Sequence, residues 1–189
     1  MTVREILQLG DPALRIVADP VDPADVASPG VQRLVDDLVD TMRAANGAGL
    51  AATQIGVHQR VVVMEVTHNP RYPYKPPLPL TVAINPVIEA IDDELVEINE
   101  GCLSVPVRGN VMRHVSIRVR YLDRDGAAHD EIRRGLTAGT WQHECDHLDG
   151  VLIVDRADPR SLATWAEYER HHRDAFVERI SAFVERVGS

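Results

Sequence analysis

The chain has 189 residues, with 20 Lys and Arg against 29 Asp and Glu, a formal net charge of −9. That length suits one domain with its own core and leaves little room for a second, and the acid excess argues against general binding to nucleic-acid phosphates. No run of eighteen apolar residues occurs and Met1-Thr2-Val3-Arg4-Glu5 lacks the apolar core of a secretory signal, so a cytoplasmic protein with no membrane partner is expected.

In chain order, the first strong periodicity is a helix over 31–45, where Val31, Leu34, Val35, Leu38 and Met42 fall on one stripe. Strands are expected at 60–66, 82–91, 94–98 and 114–123; in the last, Val115, Ile117, Val119 and Tyr121 alternate with polar residues as a half-buried strand should. The proline-rich stretch 69–79 reads as a stiff surface loop inserted between two strands, with Tyr72 and Tyr74 as loop residues in preference to substrate contacts. Asp123-Arg124-Asp125-Gly126 is a hairpin turn leading into a strand around Glu131. A short helix follows at 136–150, anchored by Leu136, Trp141 and Leu148 and stopped by Gly150. A second long helix is expected over 159–187, carrying Leu162, Trp165, Phe176, Ile180, Phe183 and Val184. The order predicts an α+β fold, with mixed or antiparallel sheets around a central helix and helices near both ends. The chain is expected to form a single unit over 1–189, with 157–189 as a C-terminal helical extension.

The central helix carries the most informative residues, His143-Glu144-Cys145-Asp146-His147. Histidines four apart share one helix face and can grip one metal ion, and the glutamate between them supplies a base. The bland alternative is two polar groups on a half-buried helix, bonded to backbone or water. A metal needs at least a third protein ligand, and no H-E-x-x-H-x-x-G-x-x-H extension follows His147. Glu167 and Glu169 in the next helical segment remain open, but Cys102 in Glu100-Gly101-Cys102-Leu103-Ser104 is the better candidate, since thiolate binds zinc or ferrous iron strongly. Taken alone, Cys102 would be read as a small buried hydrophobe. Cys145 faces away from the imidazoles and reads as a packing residue, and two cysteines argue little for a disulfide framework.

A third segment, Gly47-Ala48-Gly49-Leu50-Ala51-Ala52-Thr53-Gln54, follows the first helix and precedes an apolar strand. Its glycines permit close backbone approach, while its spacing fits neither phosphate-binding glycine motif. Gln54 is a neutral amide able to donate to a developing oxyanion, although a loop glutamine is usually only solvated.

Together the three segments resemble those of peptide deformylases, metallohydrolases that remove the formyl group from the N-terminal methionine of new bacterial and organellar proteins. That family carries G-x-G-L-A-A-x-Q, E-G-C-L-S and Q-H-E-x-D-H-L-x-G in this order, and all three are intact at 47–54, 100–104 and 142–150. Residues 6–20 with Gly10-Asp11-Pro12, the Ile84-Asn85-Pro86 run and Asp155-Arg156 also look like the family framework, so the likeness covers most of 1–156. Gly139 and Trp141 depart from the arginine and aliphatic residue more familiar there, which bears on pocket shape, and Pro106-Val107-Arg108-Gly109 reads as a compact form of the loop after E-G-C-L-S.

The resemblance implies that Cys102, His143 and His147 hold one divalent metal and leave a fourth position for water, whose pKa a metal brings down toward neutrality. Ferrous iron is the expected ion, with zinc, nickel or cobalt also suited to the donors. Glu144 would act as general base and then acid. The Leu103 N–H and the Gln54 side chain would stabilise the oxyanion. Ala48, Ile98, Leu136, Gly139 and His143 would border a methionine pocket, and the backbone of Gly47, Ala48 and Gly49 would pair with an extended peptide. The expected partners are formylmethionyl nascent chains met by a monomer. A transient ribosome contact through the C-terminal helix is compatible with this setting, yet its interleaved arginines and acids favour a solvated, core-packed helix. Two competing readings are an H-E-x-x-H peptidase cutting internal bonds, which lacks the usual third ligand, and a catalytically silent nascent-chain or ribosome binder, which retention of Glu144 disfavours.

Overall fold

Ser28 starts the first helix of this computed structural model, which describes residues 2–67 and 73–188. The Ser28 hydroxyl accepts from the Val31 N–H at 3.3 Å and Pro29 fills the first helical position, a favourable N-terminus for α1 (Pro29–Ala44). Val31, Leu34, Val35, Leu38 and Met42 are all buried, so the expected stripe is the packing face. It lies in one cluster with Leu50, Val61, Val63, Val82 and Ile84 from the neighbouring strands.

Five strands form the larger sheet, in the order β1-β2-β3-β6-β7: β1 (Gly49–Ala51), β2 (Val61–Val66), β3 (Leu78–Ala90), β6 (Ser116–Leu122) and β7 (Ala128–Arg134). The smaller sheet has the order β4-β5-β8: β4 (Leu95–Cys102), β5 (Val105–His114) and β8 (Ala163–Thr164). Every ladder in both sheets is antiparallel, and one isolated parallel bridge joins Asp19 to Gln59. β1 ends one sheet and β4 ends the other, so among the described residues each has an edge with no strand beside it.

The central helix α2 (Gly135–Leu148) is buried along most of its length. Leu136, Trp141 and Leu148 are all nearly inaccessible, as their spacing predicts. Gly150 takes φ +70° just past its end, and a Cβ there would lie 2.6 Å from the Arg15 carbonyl oxygen, so the stop at this position requires glycine twice over. Trp141 packs on Tyr121 with ring centroids 5.0 Å apart, in the core formed with the larger sheet.

Three expectations need correction. The loop expected at Pro106–Gly109 is strand: β5 follows β4 through a tight turn at Leu103-Ser104, and Val107 and Arg108 also pair with β8. The single helix expected over 159–187 is broken into a short 3-10 turn (Pro159–Ser161), β8, α4 (Trp165–His171) and α5 (Arg173–Val187). Thr164 ends the strand and caps α4 by accepting from the Glu167 N–H at 3.4 Å, while His172 at φ −123° departs from helical geometry and separates the two helices. An apolar stripe persists across both breaks, which is why periodicity alone reads it as continuous. α5 lays Phe176, Ile180 and Phe183 against Ile98, Val115 and Leu136. The third correction is Tyr74, which turns inward and packs edge-on against Phe176 at 5.3 Å; Tyr72 lies outside the described residues. A four-residue helix α3 (Ile153–Arg156) lies between α2 and the C-terminal segment. Among the described residues, no helix is long and apolar enough to cross a membrane.

Candidate active site

A cleft of about 790 Å³ opens between the β1 and β4 edges, floored by α2. It is lined by Gly47, Ala48 and Gly49 from one side, Ile98 to Leu103 from the other, and Leu136, Gly139, Thr140, His143 and Glu144 from the helix; Gln54 also reaches it. Eleven of the twelve site residues expected from sequence therefore line one cavity. The twelfth, His147, lies one helical turn below His143, with ring centroids 5.1 Å apart. Trp141 does not line the cleft, so of the two unusual residues on α2 only Gly139 shapes it. A Cβ at Gly139 would lie 2.7 Å from Ile98 Cδ1, so the glycine lets β4 approach the helix.

Cys102, His143 and His147 bring one ligand atom each to within 4.8 Å of one another. Glu167 and Glu169 are not part of this group; Glu167 pairs with Arg170 and His171 on its own helix and Glu169 with Arg173 at the start of α5. Cys102 Sγ lies 3.2 Å from His147 Nε2 and 3.4 Å from the Ser104 N–H. Burial pushes the Cys102 thiol up, but the charges of and hydrogen bonds from His147 and His143 overcome this and bring it to about 5. The arrangement favours thiolate, the form that ligates metals. Cys145 is buried elsewhere, where burial raises its thiol pKa, in keeping with a packing role.

Of the two helix ligands, His143 is oriented from behind. His143 Nδ1 is 2.9 Å from Glu100 Oε2; a carboxylate can only accept, so Nδ1 carries the proton and Nε2 is left as the donor atom for an ion. Glu100 takes a two-point clasp from Arg113, Nε at 2.8 Å and Nη2 at 2.9 Å. The remaining Arg113 nitrogen reaches Asp146 at 2.7 Å, and Asp146 is closed by Arg156 at 2.6 and 2.7 Å. Burial would raise the Glu100 pKa, but Arg113 and then His143 outweigh it and hold the carboxyl well below the usual range. Burial would likewise depress His143, yet its bonds to Cys102 and Glu100 lift it well above the ordinary histidine value.

Glu144 is buried, and burial raises its pKa against the opposing charges of His143, His147 and Lys75. Its Oε2 has no hydrogen-bond partner among the described residues. Groups of this kind need a polar partner, and with one thiolate and two imidazoles nearby the donor set fits a divalent transition metal with a polarised ligand next to the acid. Gly49 makes the room: a Cβ there would fall 2.2 Å from Glu144 Oε1 and 2.5 Å from its Cδ. Gly49→Ala is therefore expected to displace the carboxylate and lower turnover by at least about 100-fold while leaving bound metal unchanged, as turnover kinetics with metal analysis would read. Gln54 is held by the Ala51 N–H on its oxygen at 2.9 Å and donates to Ser104 Oγ at 3.0 Å, with Cys102 Sγ at 3.6 Å.

Sequence reasoning missed Lys75, Thr140, Arg108 and Trp165 in the cleft wall and Arg113 behind it. Lys75 donates to Thr140 Oγ1 at 3.2 Å, and burial lowers its pKa against the pull of Glu100 and Glu144. A lysine among prolines reads as solvated, and only the inward turn of the loop reveals it.

Donors of this kind, around a peptide-sized cleft with a buried carboxylate beside them, define a class: hydrolases built on a metal-ligand group. The polypeptide deformylase family profile matches residues 3–163. The chain is 46% identical over 156 residues to a peptide deformylase of Azotobacter vinelandii, covering 82% of this chain and 87% of that one. It is 47% identical over 185 residues to peptide deformylase 1 of Prochlorococcus marinus, covering 96% and 94%. A Met-Ala-Ser-bound crystal structure of a class I type b peptide deformylase from Acinetobacter baumannii superposes with a TM-score of 0.79 at 36% identity, covering 82% of this chain and 98% of that one. The chain belongs to the polypeptide deformylase family.

Proposed function

We propose that this protein hydrolyses the N-formyl group from the N-terminal formylmethionine of newly made proteins and releases formate, acting as one catalytic domain over 1–189 with 157–189 as its C-terminal helical extension. The observation that carries this reading is the convergence of Cys102, His143 and His147 in a cleft that has Glu144 beside them and a strand edge on either side.

A divalent ion held by those three side chains, ferrous iron in the cell and zinc, nickel or cobalt as alternatives, would supply Lewis acidity toward a carbonyl oxygen and a water. Glu144 takes the proton of the attacking water and passes it to the leaving amine; a carboxylate whose burial strengthens its hold on a proton suits both tasks. The Leu103 N–H and Gln54 Nε2 donate to the formyl oxygen as charge accumulates there. Gly47, Ala48 and Gly49 and the β4 edge receive the peptide main chain as an added strand, which recognises backbone and leaves later side chains loosely read. The methionine side chain packs against Ile98, Leu136 and Gly139. A formyl carbon bears only hydrogen, so a close wall there admits formyl and rejects acetyl.

The partners are formylmethionyl peptides, met in the cytoplasm by a monomer. Transient contact with the ribosome belongs to the same reading; Arg179 and Arg186 of α5 are already paired with Glu97 and Glu94.

Formate release from formyl-Met-Ala-Ser, with acetyl-Met-Ala-Ser as control, tests the reaction; no formate, or equal cleavage of both, would reject it. Protein reconstituted anaerobically with Fe(II) is expected to exceed aerobically purified protein in activity, and equal activity with zinc under both conditions would count against iron.

A further inference from the structure

Arg108 is 1% exposed, yet among the described residues no carboxylate lies within ion-pair distance of it. Its Nε and Nη2 are spent on the Asn99 side-chain and main-chain oxygens at 2.8 and 2.7 Å, both neutral. The guanidinium is stacked between the rings of Trp165 and Tyr168, each 4.4 Å away, which fixes its plane. Its Nη1 has no hydrogen-bond partner among the described residues. It lies at the cleft wall beside Gly101, where a Cβ would come within 2.7 Å of both Nη1 and the Trp165 ring.

Buried charges in folded proteins are normally matched by an opposite charge. The other buried arginine behind this cleft, Arg113, obeys that rule with Glu100 and Asp146. Arg108 breaks it at a place where a peptide bound along β4 would pass. We propose that Arg108 is a specificity-determining residue that receives a carboxylate of the bound peptide in the second or third residue after the formyl group. This rests on the deformylase reading above. The carboxylate is either an acidic side chain or the terminus of a short peptide, since a guanidinium does not distinguish them. Trp165 and Tyr168 both lie beyond the residues matched by the family profile, so the aromatic clamp comes wholly from the C-terminal part of this chain.

The test measures kcat/KM for formate release from formyl-Met-Asp-Ser-amide and formyl-Met-Ala-Asp-amide against their Asn isosteres, and from formyl-Met-Ala-Ser as free acid against its amide. Wild type is expected to favour the carboxylate in at least one pair by about tenfold, chiefly through KM, the scale of one charge-assisted hydrogen bond. The Asp/Asn pairs report a side-chain source and the acid/amide pair a terminal one. Arg108→Gln is expected to bring that ratio to within twofold of unity. Should that variant fail to fold, Asn99→Asp supplies an internal counter-ion while keeping the arginine, and is expected to erase the same preference. Pairs within twofold of one another in wild type, or a preference that survives either folded variant, would overturn the assignment while leaving the deformylase reading intact. Absence of formate from every peptide would reject that reading and this inference with it.

Discussion

Glu144→Gln is expected to reduce formate release by about 10²–10⁴-fold, the usual range for losing a positioned proton carrier, while the protein keeps its fold and its metal. Glutamine fills the space that Gly49 leaves open, so the change removes the proton-accepting oxygen with little steric consequence. Neither Cys102, His143 nor His147 depends on the Glu144 carboxylate for its hydrogen bonds: Cys102 is served by Ser104 and His147, and His143 by Glu100. Steady-state kinetics with metal content measured on the same preparation separates the outcomes. A variant with metal bound and near wild-type turnover would assign proton transfer elsewhere.

The second large effect belongs to stability. Arg113→Ala leaves Glu100 without its clasp and takes one of two arginines from Asp146, in a region where Glu100 and Arg113 are almost wholly shielded from solvent. Removing one partner from a buried ionic network typically costs about 3–5 kcal/mol, because the charge left behind stays desolvated. Denaturant unfolding at pH 7 is expected to report a loss of that order, and less than 1 kcal/mol would show that the network relaxes freely. The pH dependence has a fixed sign. In wild type the Glu100 pKa is held below its unfolded value of 4.5, so its stabilising contribution is complete above that value and declines as pH falls toward the folded one. The gap between wild type and Arg113→Ala should therefore narrow as the pH is lowered below about 4.5, as Glu100 becomes protonated in the unfolded state.

The sequence was most readable where chemistry imposes spacing. Histidines four apart on a helix can only share a face, and their pairing with Cys102 emerges in one group of ligand atoms. The stripe of α1 and the alternation of β6 were legible for the same reason, since 3.6-residue and two-residue periods leave marks in the order of apolar residues. Legibility failed where tertiary pairing decided the outcome. Val107 and Arg108 became strand because β8 supplied their partners while Val105 and Gly109 on either side of them paired with β4, and the C-terminal segment broke because Thr164 served a strand and a helix cap at once. Lys75 and Tyr74 carried signals of a solvated loop and were recruited by Thr140 and Phe176, residues far away in sequence. Glu100 and Asp146 stood inside the quoted motifs, but nothing in their neighbourhood announced Arg113 as the residue that joins them.

The unpaired borders of β1 and β4 have a consequence for the behaviour of the folded protein in a crowded solution. Bare strand borders ordinarily invite other molecules to add on and aggregate. Here the two line opposite sides of the same cleft, so a neighbouring sheet cannot dock flush against either, whereas a lone extended chain end can slide between them. The enclosure that guards against sticking is the same one that admits a thread.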